Sequence, residues 1–167
     1  IHKAFWNMHY GLKAYGERLM QECLRDGCIK TVLGRRGWVG EAKSPDEKKA
    51  STAAFMKATS TQFQGSVADW IKMAMLLIDE HCPGIDLTTQ VHDELGGRAE
   101  WEALLEHGTA IEAFMSEPLY YAYGVKLWMP TPADLGVAGD WAAAKAKGAD
   151  GWRKDAKPLA FKPGMFN

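Results

Sequence analysis

Long apolar runs are missing from these 167 residues. The longest uncharged apolar stretch, Met73 to Ile78, falls far short of the roughly 18 residues that a membrane-spanning helix needs, so no membrane partner is expected. Cysteine is scarce and odd in number. Cys23, Cys28 and Cys82 form no C-x-x-C pair and have no histidine at zinc-like spacing. That argues against a disulfide framework or a structural zinc site, and for buried reduced thiols in a cytoplasmic chain. The chain has no internal repeat, no low-complexity block and no signal-peptide pattern at Ile1-His2-Lys3. It also has no initiator Met, so a start upstream, or processing, is expected.

What is there is the balance of a folded soluble protein. Hydrophobic residues make up 47% and charged residues 25%, which excludes a disordered or collagen-like chain. The length suits one domain with one core. The net charge of −1 hides an asymmetry: residues 1–72 carry 12 Lys and Arg against 7 Asp and Glu, and residues 73–167 carry 8 against 14. A basic half beside an acidic half suggests a polyanion partner at one end and a cation site or solvated face at the other.

Periodicity predicts a helix over 4–26, through Phe5, Met8, Leu12, Tyr15, Leu19 and Cys23, stopping at Asp26-Gly27 and weakened by Gly11 and Gly16. Cys28 to Leu33 reads as a short strand, Gly34 to Gly40 holds three glycines and the pair Arg35-Arg36, and Ser44-Pro45-Asp46 reads as a turn or helix start. The clearest helix is 66–82. Val67, Trp70, Ile71, Ala74, Met75, Leu77 and Ile78 lie on one stripe, with Asp69 and Lys72 largely on the other. Ser66 and Asp69 resemble a capping box at its start, and Cys82-Pro83-Gly84 ends it. Ile85 to Val91 reads as a strand, with His92-Asp93-Glu94 at or near a hairpin turn. A helix over 99–116 ends before Pro118, a short strand is expected near Val125-Lys126-Leu127, and the tail after about 148 reads as an extended arm or a disordered segment.

Three constellations could carry chemistry. His92-Asp93-Glu94 places ionisable groups between apolar strand residues. Carboxylates are the right hard ligands for Mg²⁺, and phosphoryl transfer uses such ions to neutralise charge. In an extended strand Asp93 and Glu94 would face opposite ways, so they could share an ion only if the chain turns there. A solvated turn would look the same. Thr31-Val32-Leu33-Gly34-Arg35-Arg36 sets two guanidinium forks after a glycine, which suits phosphate or merely makes a basic surface turn. Gln64-Gly65-Ser66, at a helix start, could bring Gln64 to a minor-groove base edge, with Lys72 adding a phosphate contact.

Taken in order, these pieces resemble the C-terminal part of family A DNA polymerases, the bacterial polymerase I and T-odd phage type. Thr31 to Arg36 is similar to that family's T-x-x-G-R-R element, and Gln64-Gly65-Ser66-x-Ala68-Asp69-x-x-Lys72 to its Q-G-[TS]-x-A-D-x-x-K element. Gln90-Val91-His92-Asp93-Glu94 matches its third catalytic motif, Q-V-H-D-E, and Gly139-Asp140-Trp141 resembles its closing segment. The resemblance implies an α+β fold: a partial polymerase palm with an antiparallel β-hairpin carrying the third motif, packed by long helices. It implies residues 1–147 as the C-terminal part of fingers and palm and 148–167 as an extension. It also implies two Mg²⁺ ions at Asp93 and Glu94, with primer and duplex contacts from His92, Gln90, Gln64, Arg35, Arg36 and Lys72. Ser60, where the family has an Asn four residues before the Q-G glutamine, joins the duplex-facing set.

Two family elements do not occur here: the first catalytic motif, D-x-S-x-x-E, and the nucleotide-binding helix. With one of two bridging carboxylates missing, this chain cannot by itself hold a two-metal centre. The expectation is therefore a subunit of a split DNA polymerase, perhaps phage-like, working with an N-terminal polymerase chain, primer-template DNA and dNTP in the cytoplasm. Two alternatives are a non-catalytic nucleic-acid-binding accessory derived from a polymerase, and a metal-dependent phosphohydrolase.

Overall fold

The computed structural model describes residues 2–38, 47–129, 131–145 and 149–166. They divide into two compact units, 1–69 and 70–167. Each unit buries its own cluster of apolar side chains, so the single core expected from length is two. α3, Glu47–His81, has 35 residues, of which those up to Asp69 belong to the first unit and those from Trp70 to the second.

In the first unit α1 (His2–Met8) and α2 (Tyr10–Asp26) replace the single helix expected over 4–26. The chain kinks at His9 (φ −112°, ψ 47°), two residues before Gly11, while the bonds from His9 N to Phe5 O (2.9 Å) and Lys13 N to His9 O (3.2 Å) carry the ladder through. Gly27, left-handed at φ 67°, ends α2 as its sequence position suggested, its N–H reaching Cys23 O. Leu19, Cys23, Ile29 and Ala58 form the core, with Tyr15 packed against it. β1 (Cys28–Lys30) pairs antiparallel with β2 (Arg36–Trp38). The strand is shorter than expected because the chain turns at Thr31–Gly34, where Gly34 N bonds to Thr31 O. The turn or helix start expected at Ser44-Pro45-Asp46 lies outside the described residues.

The helix expected to start at Ser66 does not start there. Ser66 lies inside α3, and its hydroxyl donates back to Gln62 O in place of capping. Gly65 is tolerated mid-helix because two neighbours close on it: a Cβ there would lie 2.9 Å from the Thr31 methyl and 3.4 Å from Arg35 Nη2. The expected faces also need correcting. Val67 is exposed, and Asp69 is buried.

In the second unit β3 (Ile85–Val91) and β4 (Glu94–Ala99) form the expected antiparallel hairpin, with a register shift between Leu87 and Thr89. α4 (Trp101–Ser116) and α5 (Pro118–Tyr123) follow, Pro118 opening α5 at a position where its missing N–H costs nothing. The strand expected at Val125-Lys126-Leu127 does not form. Gly124, left-handed at φ 73°, caps α5, Val125 N bonds back to Leu119 O at 3.2 Å, and no strand among the described residues runs alongside. A short helix α6 (Trp141–Ala144) is capped by the Asp140 carboxylate.

The tail is an extended arm laid on its own unit. Trp152, in a 3-10 turn at Gly151–Lys154, is buried against α4 at Gly108. Farther on, Met165 N bonds to Tyr121 O (2.7 Å) and Phe166 N to Ala122 O (2.9 Å). Leu159, Phe161, Met165 and Phe166 pack on the cluster of Leu77, Ile78, Phe114 and Tyr121. A Cβ at residue 108 would overlap the Trp152 ring. Gly108→Val should therefore undock the arm at a cost of about 1–3 kcal/mol, read as faster proteolysis at the aromatic residues of 152–166 with α4 intact.

All three cysteines are buried free thiols, as expected. Burial pushes the Cys82 thiol up to about 12. The unfolded chain would lose that proton near pH 8.5, the folded one only near 12. The stabilising contribution is whole below pH 8.5 and is lost as pH rises towards 12, since the folded state holds more protons in that window. Cys82→Ala should flatten the fall in stability above pH 9, measured by urea titration at stepped pH. Among the described residues no helix is long and apolar enough to cross a membrane.

Candidate metal and nucleic-acid site

The hairpin positions the ionisable triplet by register. Val91 pairs with Glu94, which leaves His92 and Asp93 as a two-residue turn. His92 takes a positive φ of 54°, the only such non-glycine residue among those described. That conformation suits a tight hairpin turn, and His, like Asn and Asp, adopts it more readily than other non-glycine residues. Its carbonyl accepts a hydrogen bond from Gln90 Nε2 at 2.7 Å. The chain thus turns at the point where sharing an ion between Asp93 and Glu94 required it to. Asp93 is exposed at the tip. Glu94, half-buried at the start of β4, pairs with Lys145 Nζ at 2.9 Å. Lys145 lies just after α6, 51 residues away, and nothing in the sequence pointed to it. Lys72 is exposed on the part of α3 that belongs to this unit.

The remaining candidates lie in the first unit. Arg35 is not simply a surface cation. Its Nε meets Asp69 Oδ1 at 2.6 Å and its Nη2 donates to Gly65 O at 3.0 Å. The Thr31 hydroxyl donates to the other Asp69 oxygen and accepts from Arg35 N at 3.1 Å. Val32 N is held by Ser66 Oγ at 2.9 Å. The two sequence elements Thr31–Arg36 and Gln64–Asp69 are therefore one structural unit, locked around a buried carboxylate. Arg36 is exposed on β2. Ser60 and Gln64 are one helical turn apart on α3, exposed, with Ser60 Oγ donating to Gln64 Oε1 at 3.0 Å. Thr31 and Asp69 are the residues that sequence reasoning passed over as site builders. The signal was their presence in the same two motifs.

A hairpin with a carboxylate at its tip, backed by long helices, is the architecture of a partial α+β palm. The structure is similar to the polymerase domain of Pol1 from M. smegmatis, solved with a DNA primer-template and dNTP, at a TM-score of 0.68 and 27% identity over 85% of this chain and 24% of that one. The family model for DNA polymerase family A matches residues 1–143, and the chain belongs to that family. DNA polymerase I of Mycobacterium leprae is 33% identical over 138 residues, which is 80% of this chain and 14% of that protein. The thermostable DNA polymerase I of Thermus aquaticus is 30% identical over 136 residues, 80% of this chain and 16% of that protein. The chain thus spans about one-sixth or less of the length of these relatives.

Proposed function

We propose that the chain supplies one side of the active centre of a DNA-directed DNA polymerase. The reaction joins a primer 3′-hydroxyl to the α-phosphate of a deoxynucleoside triphosphate and releases pyrophosphate. The observation that carries this is Asp93 on a tight hairpin turn, within the Q-V-H-D-E sequence of a family A chain. The Asp93 carboxylate is the right kind of donor for Mg²⁺. The donors are too few, however: among the described residues no three His, Cys, Asp or Glu come together. The remaining ligands, including the Asp of the first catalytic motif, would come from polypeptide outside these 167 residues, in a separate N-terminal polymerase chain or a preceding segment. The nucleotide-binding helix would come from there too. Two Mg²⁺ ions, when bound, would neutralise charge developing on the phosphates.

The chain's own residues then divide the work. Asp93 would hold metal, with Glu94 at the edge of that site and steadied by Lys145. His92 would meet the primer terminus, its backbone fixed by Gln90. Gln64, braced by Ser60, would read the minor groove of the new duplex. Arg36 and Lys72 would hold the nucleic-acid backbone, and Arg35 would do so through Nη1, the guanidinium nitrogen engaged by neither Asp69 nor Gly65 O. The M. smegmatis complex with primer-template and dNTP supports these partners.

A second reading is a non-catalytic nucleic-acid-binding accessory, which rests on the exposed cations Arg36 and Lys72 and needs no metal ligand from this chain. Primer extension by this chain together with a polypeptide carrying D-x-S-x-x-E separates the two. The first reading expects extension that depends on Asp93, and the second expects extension indifferent to it.

A further inference from the structure

The outer face of the β1–β2 hairpin has no role in the reading above beyond Arg36. Lys30 pairs directly with Arg36 and Cys28 with Trp38, and directly opposed side chains share a face. Gly37, between Arg36 and Trp38, looks the other way: a Cβ there would overlap the Thr61 methyl on α3. Arg36 and Trp38 therefore project away from α3. Both are exposed, as is Lys30, and the indole is 68% exposed, while Cys28, opposite Trp38, is buried, so the open part of the face is Lys30, Arg36 and the indole.

Two cations opposed across a ladder repel each other, and an indole left in water gives up the burial that usually makes Trp stabilising. Asp26 is close enough to act on both Lys30 and Arg36, but Arg25 holds it at 2.6 and 2.8 Å. Arg25, Lys30 and Arg36 thus outnumber the one carboxylate among them.

The geometry points to a binding site for unpaired single-stranded nucleic acid on this face, with a base stacked on Trp38 and the adjoining phosphates at Lys30 and Arg36. Arg36 and Trp38 are about 7 Å apart along the strand, a separation that lets one nucleotide reach both. A duplex keeps its base faces inside the stack, whereas an unpaired strand offers them, and base–aromatic stacking works with any base. An acidic peptide would use the cations without needing the indole. The proposal rests on the nucleic-acid partner of the reading above and does not require catalysis.

The test is fluorescence anisotropy of the full chain with a labelled oligo-dT and, separately, with a blunt duplex. Trp38→Ala should weaken single-strand binding about fivefold or more and leave duplex binding within about twofold, and Trp38→Phe should restore most of the loss. Lys30→Gln and Arg36→Gln should each lower the slope of log K against log salt by about 0.7. Absence of single-strand binding by the unaltered chain overturns the proposal. So does unchanged binding by Trp38→Ala, or equal losses on both DNAs, in protein whose far-UV circular dichroism is native. Primer extension that survives such a result would leave the polymerase reading standing.

Discussion

Asp93→Ala is expected to reduce primer extension in the reconstituted polymerase by about 10³ in kcat, with little change in the KM for primer-template. The magnitude follows from the several kcal/mol of charge stabilisation that a metal centre contributes, at about 1.4 kcal/mol per tenfold in rate. The selectivity for kcat follows from position. Asp93 sits at the exposed tip of the turn, so truncation leaves no cavity, and a surface change of this kind costs within about 0.5 kcal/mol of stability. Asp93→Asn, which keeps the shape and removes the charge, should lose as much. Glu94→Gln should lose less, because Lys145 already engages that carboxylate at 2.9 Å. Single-turnover kinetics with saturating dNTP measure both parameters. An Asp93→Ala protein that supports extension at the normal rate would convert the chain into an accessory.

Arg35→Ala is expected to destabilise the first unit by about 3 kcal/mol, and Asp69→Ala by about half as much. The asymmetry comes from what each substitution leaves behind. Without Arg35, the Asp69 carboxylate, whose side chain is 5% exposed, keeps only the Thr31 hydroxyl. A buried charge stripped of its partner costs about 3–5 kcal/mol. Without Asp69, the Arg35 side chain is still 47% exposed and can turn to water, so most of the charge penalty is relieved. Replacing both by apolar residues, as Arg35→Met with Asp69→Leu, should recover part of the loss, since a buried pair is often no better than a packed apolar one. Urea midpoints for the four proteins decide it. Equal losses for the two single variants would mean that the cluster is held by something other than the carboxylate's burial.

These two sites also show where sequence was informative. The hairpin was legible because Ile85–Val91 is rich in β-branched residues (Ile85, Thr88, Thr89, Val91), and because three ionisable residues in a row between apolar strand residues favour a turn. Its register then put Asp93 at the tip with no further information. Asp69 was not legible. On helical periodicity it falls on the polar face of α3, and only a loop 34 residues earlier, folding Arg35 onto it, makes that face an interior. The same contact explains why the sequence around Ser66 resembles a helix start although α3 runs through it. Gly65 and a hydroxyl are the ordinary marks of a helix end, and here they exist so that Thr31 and Arg35 can approach a continuous helix. Lys145 left no trace in sequence, because an ion pair across 51 residues has no period.

The arm over residues 149–166 bears on the order in which the protein can be made. Phe161 and Phe166 pack on a cluster that includes Phe114 and Leu77, residues synthesised about fifty to ninety positions earlier. During translation the second unit would emerge with α4, α5 and the hairpin already present but one side of their cluster still wet. Closure would wait for Leu159, Phe161, Met165 and Phe166 to clear the ribosome. A nascent chain stalled before residue 152 should keep its helices and fail to harden into a protease-resistant body, and emergence of residues 152–166 should be the committing step. The hairpin that carries Asp93 is made well before the arm that completes the cluster of its own unit.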